Sequence, residues 1–192
     1  MAVTEATGNT KRKQTKTITL GSGHIYYKEY SGTLPDTATI CTEANRLGYI
    51  SGGAHLEYSN EVYTATDDLG IVKKTKITTE TVTLGTGLAT WNGDSLAVLL
   101  ATGRTEIKAN RRITKIGGLD NDNGKSYVIC FHHPDKKDGD LWVTIVGKNT
   151  NGLTLDFAKD AESVVEALFT AEPSDDEGTL VVIEEEIQTT GT

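Results

Sequence analysis

His132-His133-Pro134-Asp135 is the one run in this chain whose residue types suit a metal, since neutral imidazole and carboxylate are ligands for zinc or non-haem iron. Successive strand residues point to opposite faces, so the two imidazoles converge on one ion only if the chain bends, and Pro134 is where it would bend. The ordinary alternative is a strand end entering an exposed turn. His24 and His55 are not brought to this run by anything in the sequence. Asp120-Asn121-Asp122-Asn123-Gly124 begins like a calcium loop, but counting Gly124 as the sixth position puts Leu119 first and leaves no Glu at the twelfth. It reads instead as a hairpin turn rich in Asx residues. Gly21-Ser22-Gly23 and Gly85-Thr86-Gly87 fall short of a dinucleotide fingerprint and have no P-loop lysine. Neither G-x-S-x-G nor H-E-x-x-H occurs. The carboxylates of Asp175-Asp176-Glu177 and Glu184-Glu185-Glu186 are clustered, yet acid–base catalysis needs carboxylates in distinct environments, which clustering does not supply. These residues point to no enzyme, cofactor or metal.

The elements that would position such groups are mostly strands. The chain has 192 residues with 30 Thr, 20 Gly and 3 Pro, a composition that favours many strands joined by glycine turns. Residues 1–14 are polar and aperiodic and read as a flexible arm, followed by one domain over 15–187 and a short tail at 188–192. Strands are expected at Thr15–Leu20, His24–Tyr30 and Ala54–Thr66, with Asp67-Asp68-Leu69-Gly70 turning the last into a second arm from Ile71. Across Lys73–Thr81 only Ile77 is strongly apolar, so neither face can bury a stripe, and the hairpin over 58–81 must project. Asn92 is the expected N-cap of a helix over Asp94–Thr102, with Trp91 and Leu96 as its hydrophobic staple and Gly103 as its stop. Further strands follow at Glu106–Ile116, Lys125–His132, Leu141–Lys148, Leu153–Phe157 and Thr179–Glu185. Asn123-Gly124, Asp138-Gly139 and Asn151-Gly152 are the expected hairpin turns. The two runs containing Cys130 and Trp142 are apolar on both faces and belong at the centre of a sheet covered on both sides. Ser163–Glu172 fits either a helical face or an alternating strand and is read as strand. The expected fold is mainly β, a sandwich or barrel of antiparallel strands with one short flanking helix, an extended N-terminal arm and a long hairpin loop.

Charge and sulfur narrow the function classes. Nineteen basic against 27 acidic residues give −8, the wrong sign for gripping nucleic-acid phosphates. Residues 1–20 carry +3 and residues 171–192 carry −7, so the two ends are complementary. A solvated arm and tail is the ordinary consequence, and contact between copies of the chain is the sharper one. The longest apolar run, Leu96–Ala101, is far short of the roughly 20 residues of a membrane helix, and no signal-peptide core precedes it, so the chain is expected not to span a membrane and to be made in the cytoplasm. Cys41 and Cys130 are expected to be free thiols.

The order of several segments resembles the major tail tube proteins of long-tailed, non-contractile bacteriophages. The likeness is carried by Gly52–Tyr58 leading into Tyr63–Gly70, then Leu88–Gly93 and Ile116–Gly118. It continues through Val143–Gly147, Leu155–Asp160, Ala171–Pro173 and Asp175–Leu180. What the resemblance implies is a β-sandwich with a flanking helix that assembles into six-membered rings, stacked as a hollow tube for genome passage. It implies no catalysis and no cofactor. Partners would be other copies of the chain and the tape measure, tail terminator and tail tip proteins. DNA would pass an acidic lumen without specific binding, and the protein would reside in the virion. In that family the N-terminal arm and a long inter-strand loop join successive rings. This maps stacking contacts onto Lys11, Arg12 and Lys13, and onto Tyr58, Tyr63, Asp67, Asp68, Lys73, Lys74 and Lys76 of the hairpin. The resemblance also favours strand at Ser163–Glu172.

Other readings remain beside it. The inner tube of a contractile tail, a tail-like bacteriocin or a secretion system would share these features. A carbohydrate-binding β-sandwich, with calcium at Asp120 or Asp122, is a reading of a different class, although only 6% of residues are aromatic and most of those fall in expected core strands. A metal enzyme centred on His132 and His133 is the third.

Overall fold

The computed structural model describes residues 10–11 and 21–189. The expected strand at Thr15–Leu20 lies outside them, as do Arg12 and Lys13. Twelve strands and two helices follow in the order β1 Thr10–Lys11, β2 His24–Glu29, α1 Thr37–Ile40, β3 Arg46–Gly48, β4 Ile50–Thr66, β5 Lys73–Leu88, α2 Gly93–Leu99, β6 Arg104–Lys108, β7 Arg111–Lys115, β8 Tyr127–His133, β9 Leu141–Asn149, β10 Val165–Glu172, β11 Val182–Glu185 and β12 Gln188–Thr189. Strand takes up 48% of the chain and helix 10%, so ladders between strands hold far more of the backbone than helical turns do.

One large antiparallel sheet has the order β3-β2-β8-β9-β10-β5-β4. The apolar strands β8 and β9 lie at its centre, as their two-faced hydrophobicity requires. Ile25, Ile129, Ile145, Val82, Leu84 and Phe169 face one core with Leu96 and Leu99 of α2. Tyr26, Val128, Cys130 and Val146 face the other, beneath Ile40 of α1. The outermost strands β3 and β4 are separated in the chain only by Tyr49, so the sheet curls enough to bring the end of β3 beside the start of β4, which do not pair. The Tyr49 carbonyl accepts from the Ala89 and Thr90 amides at 2.8 and 3.3 Å, fastening that corner to the end of β5. Gly48 is required here, because a Cβ would land on the Thr90 carbonyl oxygen.

The N-cap of α2 forms as the residues predict. Asn92 Oδ1 accepts from the Asp94 and Ser95 amides at 2.8 and 3.1 Å, and Trp91 packs against the core beside buried Leu96. The helix ends at Leu99, three residues before the expected Thr102. The Ser95 hydroxyl donates to the Leu47 carbonyl at 2.7 Å, tying the helix to the β3 edge.

Five expectations are corrected. Glu106–Ile116 is not one strand: it reverses at Ala109-Asn110 and forms the separate two-stranded sheet β6–β7. No glycine announces that turn; Ala109 takes it at φ 52°, in the left-handed region that side chains usually avoid. Leu153–Phe157 is not a strand. Both edges of β9 are already taken, one by β8 and the other shared between β10 and β11, which leaves no ladder for it, although Leu153 and Leu155 still pack on the core. Asn151-Gly152 is therefore no hairpin turn, and neither is Asn123-Gly124, whose flanking strands lie in different sheets. The Asx side chains nevertheless close local turns, Asp122 Oδ1 on the Gly124 amide and Asn123 Oδ1 on the Lys125 amide. Finally, the strand expected at Thr179–Glu185 shortens to β11. Ser163–Glu172 resolves as strand β10, with Val165, Ala167 and Phe169 buried on the alternating face.

Candidate assembly surface

Beyond Leu56 and Val82 the β4–β5 hairpin leaves the core. Every residue from Glu57 to Thr81 is exposed, yet the ladder stays paired from Tyr58↔Val82 out to Thr66↔Lys73. Ten residues of extended chain make this a projection of roughly 30 Å. Its root is a bulge at Gly52-Gly53, both at positive φ, beside a shallow groove of about 580 Å³ that includes Gly85, Gly87 and Glu166. Farther out the register shifts again between Glu61 and Val62, where Thr78 Oγ1 donates to the Glu61 carbonyl.

Seven of the ten residues expected at ring contacts lie on this one element. Tyr58 donates to Glu80 Oε1 at 2.6 Å, and that hydrogen bond holds its phenol pKa above the usual value. Tyr63 stands opposite Lys76 and is 64% exposed. Lys73 and Lys74 follow along β5 opposite Thr66 and Ala65. At the tip, Asp67 caps the turn by accepting from the Val72 amide at 2.7 Å, and Asp68 is exposed beside it. Val62 pairs with Ile77, and Leu69, Ile71 and Val72 crown the tip, all exposed. Ile77 and the turn are legible in the sequence, whereas the exposed apolar cluster at the tip follows only from the structure. The strand pair thus leaves two uncovered faces and an apolar tip exposed.

Lys11 lies elsewhere, in a two-residue ladder where β1 pairs with β12, Lys11 opposite Gln188. The backbone thus joins the two oppositely charged ends within one chain.

The two imidazoles of the histidine run do not converge. His132 donates through Nε2 to Asp140 Oδ2 at 2.8 Å and stacks on Trp142 at a ring separation of 5.0 Å. His133 is buried and donates through Nδ1 to the Ser22 carbonyl at 2.8 Å. Strand alternation sends the two imidazoles to different neighbours, and among the described residues no group of three or more His, Cys, Asp or Glu side chains is arranged to hold a metal ion. Asp120 sits in a short turn over Leu119–Asn121.

His24 faces Arg46, Glu43 and His132; burial first, then the Arg46 and His132 charges, push its pKa down. Asp140 is also held low, because the hydrogen bonds from His132 and the Asp135 amide outweigh the opposing effect of burial. Both groups bind fewer protons folded than unfolded, so stability rises with pH. The expected result is a Tm that is highest above the ordinary histidine pKa of about 6.5 and falls as pH drops through the carboxylate range, with His24→Gln flattening the upper part of that fall. A calorimetric Tm independent of pH between 7 and 4 contradicts it.

Cys41 and Cys130 are free thiols with their sulfurs 3.4 Å apart. The hydrogen bond to Cys130, reinforced by burial, raises the Cys41 thiol pKa well above its ordinary value. Maleimide should modify Cys41 at pH 7.5 at least about tenfold more slowly than a free cysteine, because the thiolate is the nucleophile. Equal rates would show that the thiols do not interact.

Among the described residues no helix is long and apolar enough to cross a membrane. No protein-family model matches this chain, and no curated protein matches it closely enough to count as a relative.

Proposed function

We propose that this protein is a structural subunit, the major tube protein of a long-tailed, non-contractile bacteriophage tail. Its curled sheet is then the sandwich or barrel of that fold, six copies form a ring, and rings stack into a hollow conduit for the genome. The observation that carries the reading is the hairpin over 58–81, paired along its length, exposed on both faces and apolar at its tip. Roughly 30 Å of paired but uncovered ladder suits a polymer subunit, which needs a rigid arm that reaches a neighbour. The resemblance of Gly52–Tyr58, Tyr63–Gly70 and the later segments supplies the specific assembly. Lys11, Arg12 and Lys13 of the arm would share the stacking contact. The tape measure, terminator and tip proteins are the partners, and DNA slides past without specific binding. The location is the virion, after synthesis in the host cytoplasm, and the protein is not an enzyme.

Negative-stain electron microscopy after prolonged incubation at high concentration tests this. Hollow tubes or six-fold rings are expected. Persistent monomers, also in the presence of preformed tail tips, overturn the reading and turn attention to a glycan-binding module. A neighbouring sheath gene would move the assignment to the inner tube of a contractile tail or a related injection device.

A further inference from the structure

The hairpin β6–β7 is a basic island on an acidic molecule. Residues 104–115 hold Arg104, Lys108, Arg111, Arg112 and Lys115 against Glu106, a net +4 in a chain whose total is −8. One face of the hairpin is spoken for: Thr105 Oγ1 donates to the Gly93 carbonyl at 3.0 Å, and Arg112 meets Asp94 at 3.1 Å, both at the start of α2. The register places Arg104 opposite Lys115, Glu106 opposite Ile113 and Lys108 opposite Arg111, so these six share the other face. Two of the three cross-strand pairs on that face are like-charged, an arrangement that destabilises a ladder in isolation. Only Lys115 is relieved, by Glu106 at 2.8 Å; Arg104, Lys108 and Arg111 have no carboxylate partner among the described residues. Ile107, 75% exposed, is paired with Arg112 and lies on the opposite face. Three uncompensated cations on one open face mark a surface whose partner is anionic.

The chain carries such a surface. Glu184, Glu185 and Glu186 are exposed at the end of β11, have no cationic partner among the described residues, and are flanked by exposed Ile183 and Ile187. We propose that the free face of β6–β7 docks the acidic strip 183–187 of a second copy of this chain. The two patches are different surfaces of one molecule, so the contact is head-to-tail, and its repetition generates a ring or a filament. This deepens the assembly reading above by naming a subunit interface separate from the long hairpin.

A charge swap followed by sedimentation velocity at low and high salt tests it. Wild-type association is expected to weaken at least about tenfold between 50 and 500 mM salt, because the contact is between exposed charges. The variant Arg104→Glu, Lys108→Glu, Arg111→Glu and the variant Glu184→Lys, Glu185→Lys are each expected to stay monomeric, and an equimolar mixture to associate again. Arg104→Gln, Lys108→Gln, Arg111→Gln keeps the test valid if charge reversal perturbs folding. Variants that associate like wild type, or a mixture that fails to recover, overturn the interface. So does a basic face that binds a DNA duplex at low salt without affecting self-association, which would make it a polyanion surface. Tubes that persist in the reversed variants sink this interface and leave the tube reading standing. Salt-sensitive oligomers that never become tubes support the interface and count against the tube.

Discussion

Replacing residues 60–80 by an Asn-Gly turn, so that Ser59 runs into Thr81 through two residues, is expected to give a folded monomer that forms no tubes. The removed segment contributes nothing to either core: every residue in it is exposed, and the nearest buried side chain on β5 is Val82. Unfolding free energy should therefore change by less than about 1 kcal/mol, as for other surface changes. The ladder beneath the cut, Leu56↔Leu84 through Ser59↔Thr81, still closes the hairpin, and Asn-Gly suits a two-residue reversal. Assembly should be lost outright. A milder version, Leu69→Asp with Ile71→Asp and Val72→Asp, leaves the arm at full length and removes only its apolar tip. If the shortened protein still forms long tubes, the hairpin is not the joint between rings. If the tip variant assembles while the shortened one does not, the contact lies along the ladder near Tyr63 and Lys76.

The second large effect is on stability. Phe169 is fully buried in β10, opposite Leu84 of β5 and Asn149 of β9, among the side chains that α2 covers. Phe169→Ala should cost about 3–5 kcal/mol, since it removes the aromatic volume and leaves a cavity that a sheet held on both edges cannot collapse. Against a typical domain stability of about 5–15 kcal/mol this is a large fraction of the whole. In urea the midpoint should drop by about 1–3 M with the slope unchanged. Phe169→Leu should cost roughly half as much or less, and Ile183→Ala, at an exposed position, under about 0.5 kcal/mol. A Phe169→Ala protein that loses under 1 kcal/mol would mean that β10 does not lie between β5 and β9.

Strand periodicity and turn chemistry reach as far as local physics does. The alternation Val165, Ala167, Phe169, the two-faced apolar runs around Cys130 and Trp142, and the Asn92 cap each depend on neighbours within a few residues, and each is realised. The long hairpin is legible for the same reason: a run with one strongly apolar side chain cannot be buried, wherever the rest of the chain goes. What fails to read is whatever depends on competition for a place. Leu153–Phe157 has a strand's composition but is excluded because β8, β10 and β11 already occupy β9. The turn at Ala109-Asn110 puts its positive φ on Ala109, a residue that normally avoids it, so Asn110 alone marks it and only weakly. The first 50 residues hold α1 and β3, which have too few apolar positions to show a period.

Composition and pattern by themselves determined that this chain is mainly β, that its centre is β8 and β9, that a helix begins at Asn92, and that residues 58–81 stand clear of the core. Tertiary structure decided which strands are neighbours, that Tyr49 joins the two edges of one curled sheet, and that His132 and His133 serve Asp140 and Ser22 separately. It also gathered four basic side chains onto one open face of β6–β7. The division follows from range: burial preference, capping and turn geometry act within a few residues, whereas strand partners, shared faces and charge patches are set by contacts between segments dozens of residues apart.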